Sequence, residues 1–282
     1  MAEACPEQKS CRRSSLLYHV ARMETQKEDW FARYPSLRGR TVLVTGGGSG
    51  IGASIVEHFA YQGARTVFLD VAEQAAKSLA AALATRVEHA PVFLHCDLTN
   101  IQALQAAIKK AEELVGPIEV LVNNAANDER HKWDEVTPAY WDRMMDVNLR
   151  HQFFTMQAVA PGMKSHGKGS MINLSSISWM VPSTGLPVYV TAKAGIVGLT
   201  RTMSRELGPF GIRVNCVLPG AILTEKQVRL WWTSEYREKI MASQSIRRQL
   251  MPADVARLVL FLASDDSSAI TGQSHIVDGG WV

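Results

Sequence analysis

From residue 41 onward, short apolar runs rich in β-branched residues alternate with stretches of helical periodicity. Strands are predicted at Thr41–Thr45, Thr66–Asp70, Pro91–Cys96, Val120–Asn123, Ser170–Ser175, Arg213–Leu218 and Ser274–Asp278. Helices are predicted at Ile51–Gln62, Glu73–Thr85, Ile101–Val115, Pro138–Lys164 and Val188–Leu207. Strands that alternate with helices indicate crossover connections, and therefore a parallel sheet with helices on both faces. We expect one doubly wound α/β domain with seven parallel strands over residues 38–282.

The composition excludes several classes of protein. Of 282 residues, 46% are hydrophobic and 20% charged, which is typical of a globular protein and not of a disordered or fibrous one. The net charge of +3 is too small to indicate a nucleic-acid or membrane partner. The chain has no apolar run of about 18 residues, the length that a membrane span needs. Its four cysteines form neither a disulfide framework nor a paired metal motif, so we expect a cytoplasmic protein.

Residues 1–37 are polar and mixed in charge, and we interpret them as an N-terminal extension. Arg12-Arg13 before Leu16-Leu17 resembles an export signal only faintly, because His19 interrupts the apolar stretch. Met23 is an alternative start. Cys5 and Cys11 are interpreted as tail thiols, since no further metal ligands lie close in sequence.

A glycine-rich turn, Thr45–Gly52, joins the first predicted strand to the first helix. Glycines allow a pyrophosphate to approach the main chain, and a helix N-terminus offers N–H groups and a positive dipole to it. This context predicts a Rossmann-type dinucleotide site. Its expected contacts are Gly46, Ser49, Gly50, Ile51 and Gly52.

Acidic residues end the second and third predicted strands. Asp70 follows Gly52 by 18 positions, where a carboxylate accepts hydrogen bonds from ribose hydroxyls and repels the 2′-phosphate of NADP. We therefore expect NAD, with NADP as a weaker alternative. Asp70 as a helix N-cap is the other interpretation. Asp97 and Leu98 are weaker candidates for the adenine side, with Asp97 alternatively capping the next helix.

Tyr189 and Lys193 are spaced i, i+4 in a predicted helix, which places them on one face. A tyrosine with its ordinary pKa of about 10 is a poor base at neutral pH. An ammonium about 5 Å away favours the phenolate by roughly 3 kcal/mol at an effective dielectric of about 20. The pair therefore predicts a catalytic base with a lowered pKa, the alternative being an ordinary helical Tyr–Lys pair.

Seven motifs occur together in one order: Thr45–Gly52, Asn123–Ala125, Asn148, Ser176, Tyr189 with Lys193, Pro219-Gly220 with Thr224, and Asp278–Gly280. In this respect residues 38–282 resemble the short-chain dehydrogenase/reductase family. Further segments resemble its bacterial sugar 1-dehydrogenases of the D-xylose and L-arabinose type, namely Asn127–His131, Tyr140–Asp142, Val147–His151, Ser176–Trp179 and Phe261–Asp266. This resemblance implies oxidation of an aldose at C1 to the aldonolactone, by a homotetramer.

The resemblance also implies roles for individual residues. Tyr189 is the base, Ser176 holds the reacting oxygen, Lys193 lowers the tyrosine pKa and binds the nicotinamide ribose, and Asn148 holds a water in a proton relay. For Asn148, a helix-interior amide bonded to a main-chain carbonyl is the alternative. Asn124, Pro219, Gly220 and Thr224 are implied as further cofactor contacts. Ser175 is expected to face the opposite side of its strand, which leaves the catalytic role to Ser176.

Substrate contacts are expected after the fourth strand, where the polar segment Asn127–His131 begins. We favour Asn127 and Asp128 there, together with Ser176, Ser178, Tyr189 and Gln227, while Gln152 and Trp179 are weaker candidates. A solvated polar loop is the alternative, and no metal site is expected. The aromatic residues within Gln227–Met241 form either a packing face or a wall over a sugar ring.

Two other functions stay open at this point. One is a short-chain enzyme that acts on another polar alcohol or carbonyl, such as a sugar acid. The other is a cofactor-sensing protein without catalysis, which the presence of Ser176, Tyr189 and Lys193 disfavours. Ala126 and Ser175 stand where the family more often has glycine. These differences are compatible with the catalytic chemistry, but they leave the identity of the sugar open.

Overall fold

The computed structural model describes residues 31–282, of which Tyr34–Val282 form one compact unit. Most of the predicted N-terminal extension, with Cys5, Cys11 and Met23, lies outside the described residues. Leu37, near the start of the unit, is fully buried. The division of the chain at residue 37 stays a prediction.

Seven parallel strands form one sheet, as predicted. They are β1 (Thr41–Thr45), β2 (Arg65–Asp70), β3 (Val92–His95), β4 (Val120–Asn123), β5 (Gly169–Leu174), β6 (Ile212–Pro219) and β7 (Ser274–Val277). The strand order is β3-β2-β1-β4-β5-β6-β7, so the direction of winding reverses between β1 and β4. In such sheets, ligands bind beyond the carboxyl ends of the strands near that reversal.

Helices cover both faces of the sheet and confirm the doubly wound Rossmann-type fold. They are α1 (Gly50–Tyr61), α2 (Glu73–Ala84), α3 (Ile101–Val115), α4 (Pro138–Met145), α5 (His151–His166), α6 (Pro187–Leu207), α7 (Glu225–Leu230), α8 (Ser234–Ser243) and α9 (Pro252–Ala263). Strand β1 is buried along its whole length, because alternate side chains enter the cores on opposite faces. On one face, Leu43, Leu121 and Met171 pack with residues of α3 and α5.

One predicted helix is divided in the structure, and so is the segment that carries the aromatic residues. The helix expected at Pro138–Lys164 is interrupted by a π-helical turn, Asp146–Arg150, between α4 and α5. The segment Gln227–Met241 is not one helix, because α7 ends at Leu230 and α8 begins at Ser234. Helix α9 was not predicted. Among the described residues, no helix has the length and apolar character needed to traverse a bilayer.

Candidate active site

The glycine-rich turn connects β1 to the N-terminus of α1. Gly50 has φ +56°, in the left-handed region that favours glycine. A Cβ on Gly50 would contact Thr224 Cγ2 at 3.3 Å, so this glycine faces Thr224 across a gap. Ser49, the N-cap residue of α1, is exposed and its side chain makes no capping bond. The first N–H groups of α1 are therefore open to an anion.

Asn124 and Asp70 hold this turn in place. The Asn124 side chain donates to the carbonyl oxygens of Thr45 and Gly46 at 3.1 and 2.9 Å. Asp70 accepts from the Gly48 N–H at 2.7 Å and from the Ala72 N–H at 2.8 Å. An ionised carboxylate has about four acceptor positions, so two remain for ribose hydroxyls. Asp70 is not an N-cap, since Ala72 occupies the N-cap position of α2.

The other expected cofactor contacts lie along the same edge of the sheet. Asp97 accepts from the N–H and hydroxyl of Thr99, and Asn100 rather than Asp97 caps α3. Leu98 is buried beside them. Pro219 ends β6, and the Gly220 N–H donates to the Val277 carbonyl oxygen at 2.9 Å. Thr224 caps α7 by accepting from the Gln227 N–H at 3.2 Å.

These residues fit a dinucleotide. The turn, the open N-terminus of α1 and the free acceptor positions of Asp70 offer contacts for a pyrophosphate and a ribose. Ile51 and Gly52 begin the helix that carries the N–H groups. Thr224 lies across from Gly50 and is a further candidate contact.

Ser176, Tyr189 and Lys193 form the chemical centre of the site. Lys193 is 1% exposed, and its ammonium donates to the Leu174 carbonyl oxygen at 2.8 Å. The same ammonium lies 5.5 Å from the centroid of the Tyr189 ring. The Ser176 hydroxyl faces the Tyr189 phenol and lowers its pKa through a hydrogen bond.

Burial outweighs the other influences on these two groups. It raises the pKa of Tyr189 well above its ordinary value; Asp128 adds to the increase, while Ser176 and Arg130 oppose it. Burial lowers the pKa of Lys193 to about 8. The decrease that we expected for Tyr189 is therefore not found in the protein alone, because the expectation considered the lysine charge without desolvation.

Asn148 lies in the π-helical turn and is fully buried. Its side chain donates to the carbonyl oxygens of Met144 and Asn127 at 2.9 and 3.1 Å and accepts from the Asn127 N–H at 2.9 Å. The alternative interpretation, an amide bonded to a main-chain carbonyl, thus describes its contacts. Because π-helical turns are frequent at functional sites, the placement is also compatible with a relay.

The serines next to Ser176 are positioned differently. Ser175 is buried and donates to the Lys193 carbonyl oxygen at 2.6 Å, so it ties β5 to α6 instead of facing the phenol. The Ser178 N–H donates to Ser176 Oγ at 3.1 Å. The Ser178 hydroxyl is buried and has no hydrogen-bond partner within residues 31–282.

The polar segment after β4 meets α7 beside Tyr189. Asp128 accepts from Lys226 Nζ at 2.5 Å and from Gln227 Nε2 at 3.0 Å. The Asn127 side chain is 3.5 Å from Lys226 Nζ, and the Arg130 guanidinium lies 5.5 Å from the Trp231 ring centroid. Asn127, Asp128 and Gln227 are thus brought together, although about a hundred residues separate Gln227 from the other two.

The weaker candidates Gln152 and Trp179 stay predictions. Gln152 is fully buried, the Asn123 side chain donates to its carbonyl oxygen at 3.3 Å, and its side-chain amide has no hydrogen-bond partner within residues 31–282. Trp179 is 37% exposed. Trp232 and Tyr236 pack edge to face with centroids 6.0 Å apart. The described part of the chain has no cluster of three or more side chains suited to hold a metal.

Sequence reasoning missed Lys226 and His151. Lys226 carried no signal, because its partner Asp128 is 98 positions away. His151 is fully buried beside the π-helical turn, and burial, followed by the charge of Lys193, lowers its pKa to about 3. Its position directly after Arg150, within a segment already singled out, was the available signal.

Comparisons with known proteins agree with this geometry. The family model described as Enoyl-(Acyl carrier protein) reductase matches residues 46–282. A D-xylose 1-dehydrogenase of Caulobacter vibrioides is 50% identical over 250 residues, covering 89% of this chain and 98% of the relative. The "Probable galactose dehydrogenase GalD" of Rhizobium meliloti is 49% identical over 249 residues, covering 88% and 97%. A short-chain type dehydrogenase/reductase from Mycobacterium ulcerans superposes with a TM-score of 0.83 at 28% identity, covering 87% of this chain and 90% of that structure.

These matches agree with three features of the chain: the order of its motifs, the position of the glycine-rich turn, and the Tyr189–Lys193 pair on α6. The matches extend over nearly the whole described unit. The chain belongs to the short-chain dehydrogenase/reductase family.

Proposed function

We propose that this protein is an NAD-dependent sugar dehydrogenase that oxidises a cyclic aldose at C1 to the aldonolactone. The observation that carries the proposal is the polar cluster of Asn127, Asp128 and Gln227 beside Tyr189. It occurs in a chain that is 50% identical to a D-xylose 1-dehydrogenase. A sugar needs several convergent hydrogen-bond partners, and this cluster supplies them next to the base.

The proposed chemistry is a proton transfer coupled to a hydride transfer. Tyr189, as phenolate, takes the proton of the C1 hydroxyl, while Ser176 donates a hydrogen bond to the same oxygen as it becomes the lactone carbonyl. Lys193 supplies positive charge next to the phenolate. A bound oxidised nicotinamide supplies the hydride acceptor for C1 and a further positive charge. Lys193 then gives one proton to a water held at Asn148 and takes the proton of Tyr189 in its place, which restores the phenolate and the ammonium.

NAD is the proposed cofactor. The carboxylate of Asp70 braces the glycine-rich turn through the Gly48 N–H and would repel a 2′-phosphate placed on the neighbouring ribose. Gly46, Ser49 and Gly50 line the turn, and Asn124 fixes its carbonyl groups. NADP is proposed only as a weaker alternative.

The assembly is proposed from the family resemblance, and the location from the cysteine pattern. We propose a cytoplasmic homotetramer without a nucleic-acid or membrane partner. Val282 is 48% exposed at the end of the chain, where a neighbouring subunit would cover it.

The test is NADH formation by the purified protein with NAD and a panel of substrates. The panel contains D-xylose, L-arabinose, D-galactose, L-fucose, L-rhamnose, the corresponding sugar acids and several non-sugar alcohols. We expect turnover on one or two aldoses, with lactone as product and a higher kcat/KM with NAD than with NADP. Turnover on sugar acids alone, with NAD binding intact, would reject the proposal in favour of the sugar-acid alternative.

A further inference from the structure

Helix α7 is joined to the polar segment after β4 through one carboxylate. Asp128 Oδ1 is 2.5 Å from Lys226 Nζ, and Asp128 Oδ2 accepts from Gln227 Nε2 at 3.0 Å. Lys226 also lies 3.5 Å from the Asn127 side-chain oxygen. Each oxygen of Asp128 therefore accepts one hydrogen bond from α7, Lys226 makes the charged contact, and the remaining acceptor positions stay open to a substrate.

The same carboxylate reaches the catalytic centre. Its negative charge disfavours the phenolate of Tyr189 and stabilises the ammonium of Lys193. Next to it in sequence, Asn127 exchanges hydrogen bonds with Asn148 through its main-chain N–H and carbonyl group. The segment that carries Asp128 is thus tied both to α7 and to the buried Asn148.

The charged and titratable groups around Tyr189 are few. Asp128 makes the phenolate less favourable, while Arg130 and the Ser176 hydroxyl make it more favourable. The Lys193 ammonium lies 5.5 Å from the ring. Among the described residues, Lys226 is the cation paired with Asp128.

We propose that Lys226 is a positioning residue of the active site: by pairing with Asp128 it holds α7 against the segment Asn127–His131 and shields Tyr189 from the carboxylate. This inference rests on the proposed function, because it assigns Tyr189 as the base. The Lys226 side chain is 44% exposed and that of Asp128 25% exposed. An ion pair this accessible adds little to global folding stability, so removing it should leave the fold intact.

The proposal predicts a shift in the pH dependence of catalysis. Lys226→Met leaves the carboxylate of Asp128 without its cation, which raises the pKa of the base. The rising limb of kcat against pH should move to higher pH by about half a unit to one unit, with kcat at neutral pH falling roughly three- to tenfold. Lys226→Arg should restore the wild-type profile. The shift should shrink as ionic strength rises, because salt screens partly exposed charges.

A double-mutant cycle separates the shielding effect from a general disturbance. In Asp128→Asn the carboxylate charge is absent, so adding Lys226→Met should move the pH profile no further. Lys110→Met is the matched control, since Lys110 forms a comparable exposed pair with Glu113 at 3.2 Å on α3, away from the site. A Lys226→Met profile that superimposes on the wild type, or an equal shift in the Asp128→Asn background, would overturn the inference.

A second measurement needs no substrate and tests the pairing by itself. Hydrogen exchange of the α7 amides should become faster in Lys226→Met and in Asp128→Asn, and remain unchanged in Lys110→Met. If no panel sugar is oxidised but exchange behaves this way, the proposed substrate is wrong and the pairing stands. If α7 exchange is unchanged in both variants, the pairing does not hold α7 and the inference fails.

Discussion

Lys193 is a buried cation on the face of α6 that also carries Tyr189. Its ammonium donates to the Leu174 carbonyl oxygen, and its main-chain carbonyl accepts from Ser175, so the residue is fixed at both ends to β5. Desolvation lowers its pKa to about 8 and raises that of Tyr189. The two shifts have one cause, because both charged forms lose water in the same place. Ionisation of the base thus depends on positive charge and hydrogen bonds supplied around it.

Tyr189→Phe should remove catalysis and leave the fold unchanged. The substitution deletes the hydroxyl that exchanges the proton, and general acid–base catalysis contributes on the order of 10²–10⁴-fold to rates. We expect kcat to fall within that range, while NADH binding, measured by fluorescence titration, and the thermal midpoint stay close to the wild type. Tyr61→Phe, at the end of α1, is the control and should retain full turnover. Turnover by Tyr189→Phe within about threefold of the wild type would remove Tyr189 from the mechanism.

Residues that share a local motif were predictable, and residues that meet through tertiary structure were not. The Tyr189–Lys193 pair follows from its i, i+4 spacing on one helix, and Ser176 was expected from the family resemblance. The pairing of Lys226 with Asp128 has no local signal, since the two meet only when α7 packs beside the end of β4. The direction of the Tyr189 pKa shift failed for the same reason, because desolvation is set by the whole surroundings of a side chain.

Among the elements, the first turn of α1 packs against the end of β1 without room for a side chain. A Cβ on Gly52 would collide with the Gly46 carbonyl oxygen and lie 2.5 Å from Asn124 Nδ2. Those are the groups that join the glycine-rich turn to the start of the segment after β4. The absence of a side chain at Gly52 is therefore a packing requirement of the turn.

Gly52→Ala should destabilise the protein by about 1–3 kcal/mol, as overpacking usually does, and weaken NADH binding by distorting the turn. Gly198→Ala is the control, and we expect it to change the free energy of unfolding in the opposite direction. Gly198 lies on α6 with open space around the added methyl group, so this variant should gain about 0.5–1 kcal/mol. Chemical denaturation measures both changes. Equal stabilities for the Gly52→Ala variant and the wild type would show that the turn accommodates the added methyl group without loss of stability.

The strands and four of the five predicted helices were predicted to within about one residue at their ends, while the helix at Pro138–Lys164 was not. A period of 3.6 residues reports helix in general and does not reveal one added residue, so the π-helical turn at Asp146–Arg150 went unnoticed. The break between α7 and α8 had a local signal, since Thr233 caps α8 by accepting from the Tyr236 N–H. Helix α9 had one too, with Pro252 at its first position and Asp254 in its first turn.

At the scale of the whole molecule, two buried histidines couple stability to pH. Burial lowers the pKa of His58 to about 4 and that of His151 to about 3. An unfolded histidine has a pKa of about 6.5, so below that pH the unfolded chain binds protons that the folded protein does not. The free energy of unfolding therefore decreases as the pH falls from about 6.5 through the folded values.

Replacing His151 should make the protein less sensitive to acid. One proton taken up only by the unfolded chain changes the free energy of unfolding by about 1.4 kcal/mol per pH unit. In His151→Gln, the slope between about pH 6 and pH 4.5 should be smaller by up to that amount. Urea denaturation at several pH values gives the slope independently of absolute stability, and the exposed His166→Gln is the matched control. An unchanged slope in His151→Gln would mean that the buried ring is protonated in the folded protein.

Several side chains at the active site are anchored to main-chain carbonyl groups. Lys193 uses that of Leu174, Ser175 that of Lys193, and Asn148 those of Met144 and Asn127. A peptide carbonyl is chemically the same whichever amino acid bears it, so point substitutions at Leu174 or Met144 leave the acceptor in place. Amino-acid substitutions at Leu174 and Met144 should therefore preserve these hydrogen bonds. Insertions and deletions should not, because a shift of one residue in β5 or α4 moves the acceptor itself.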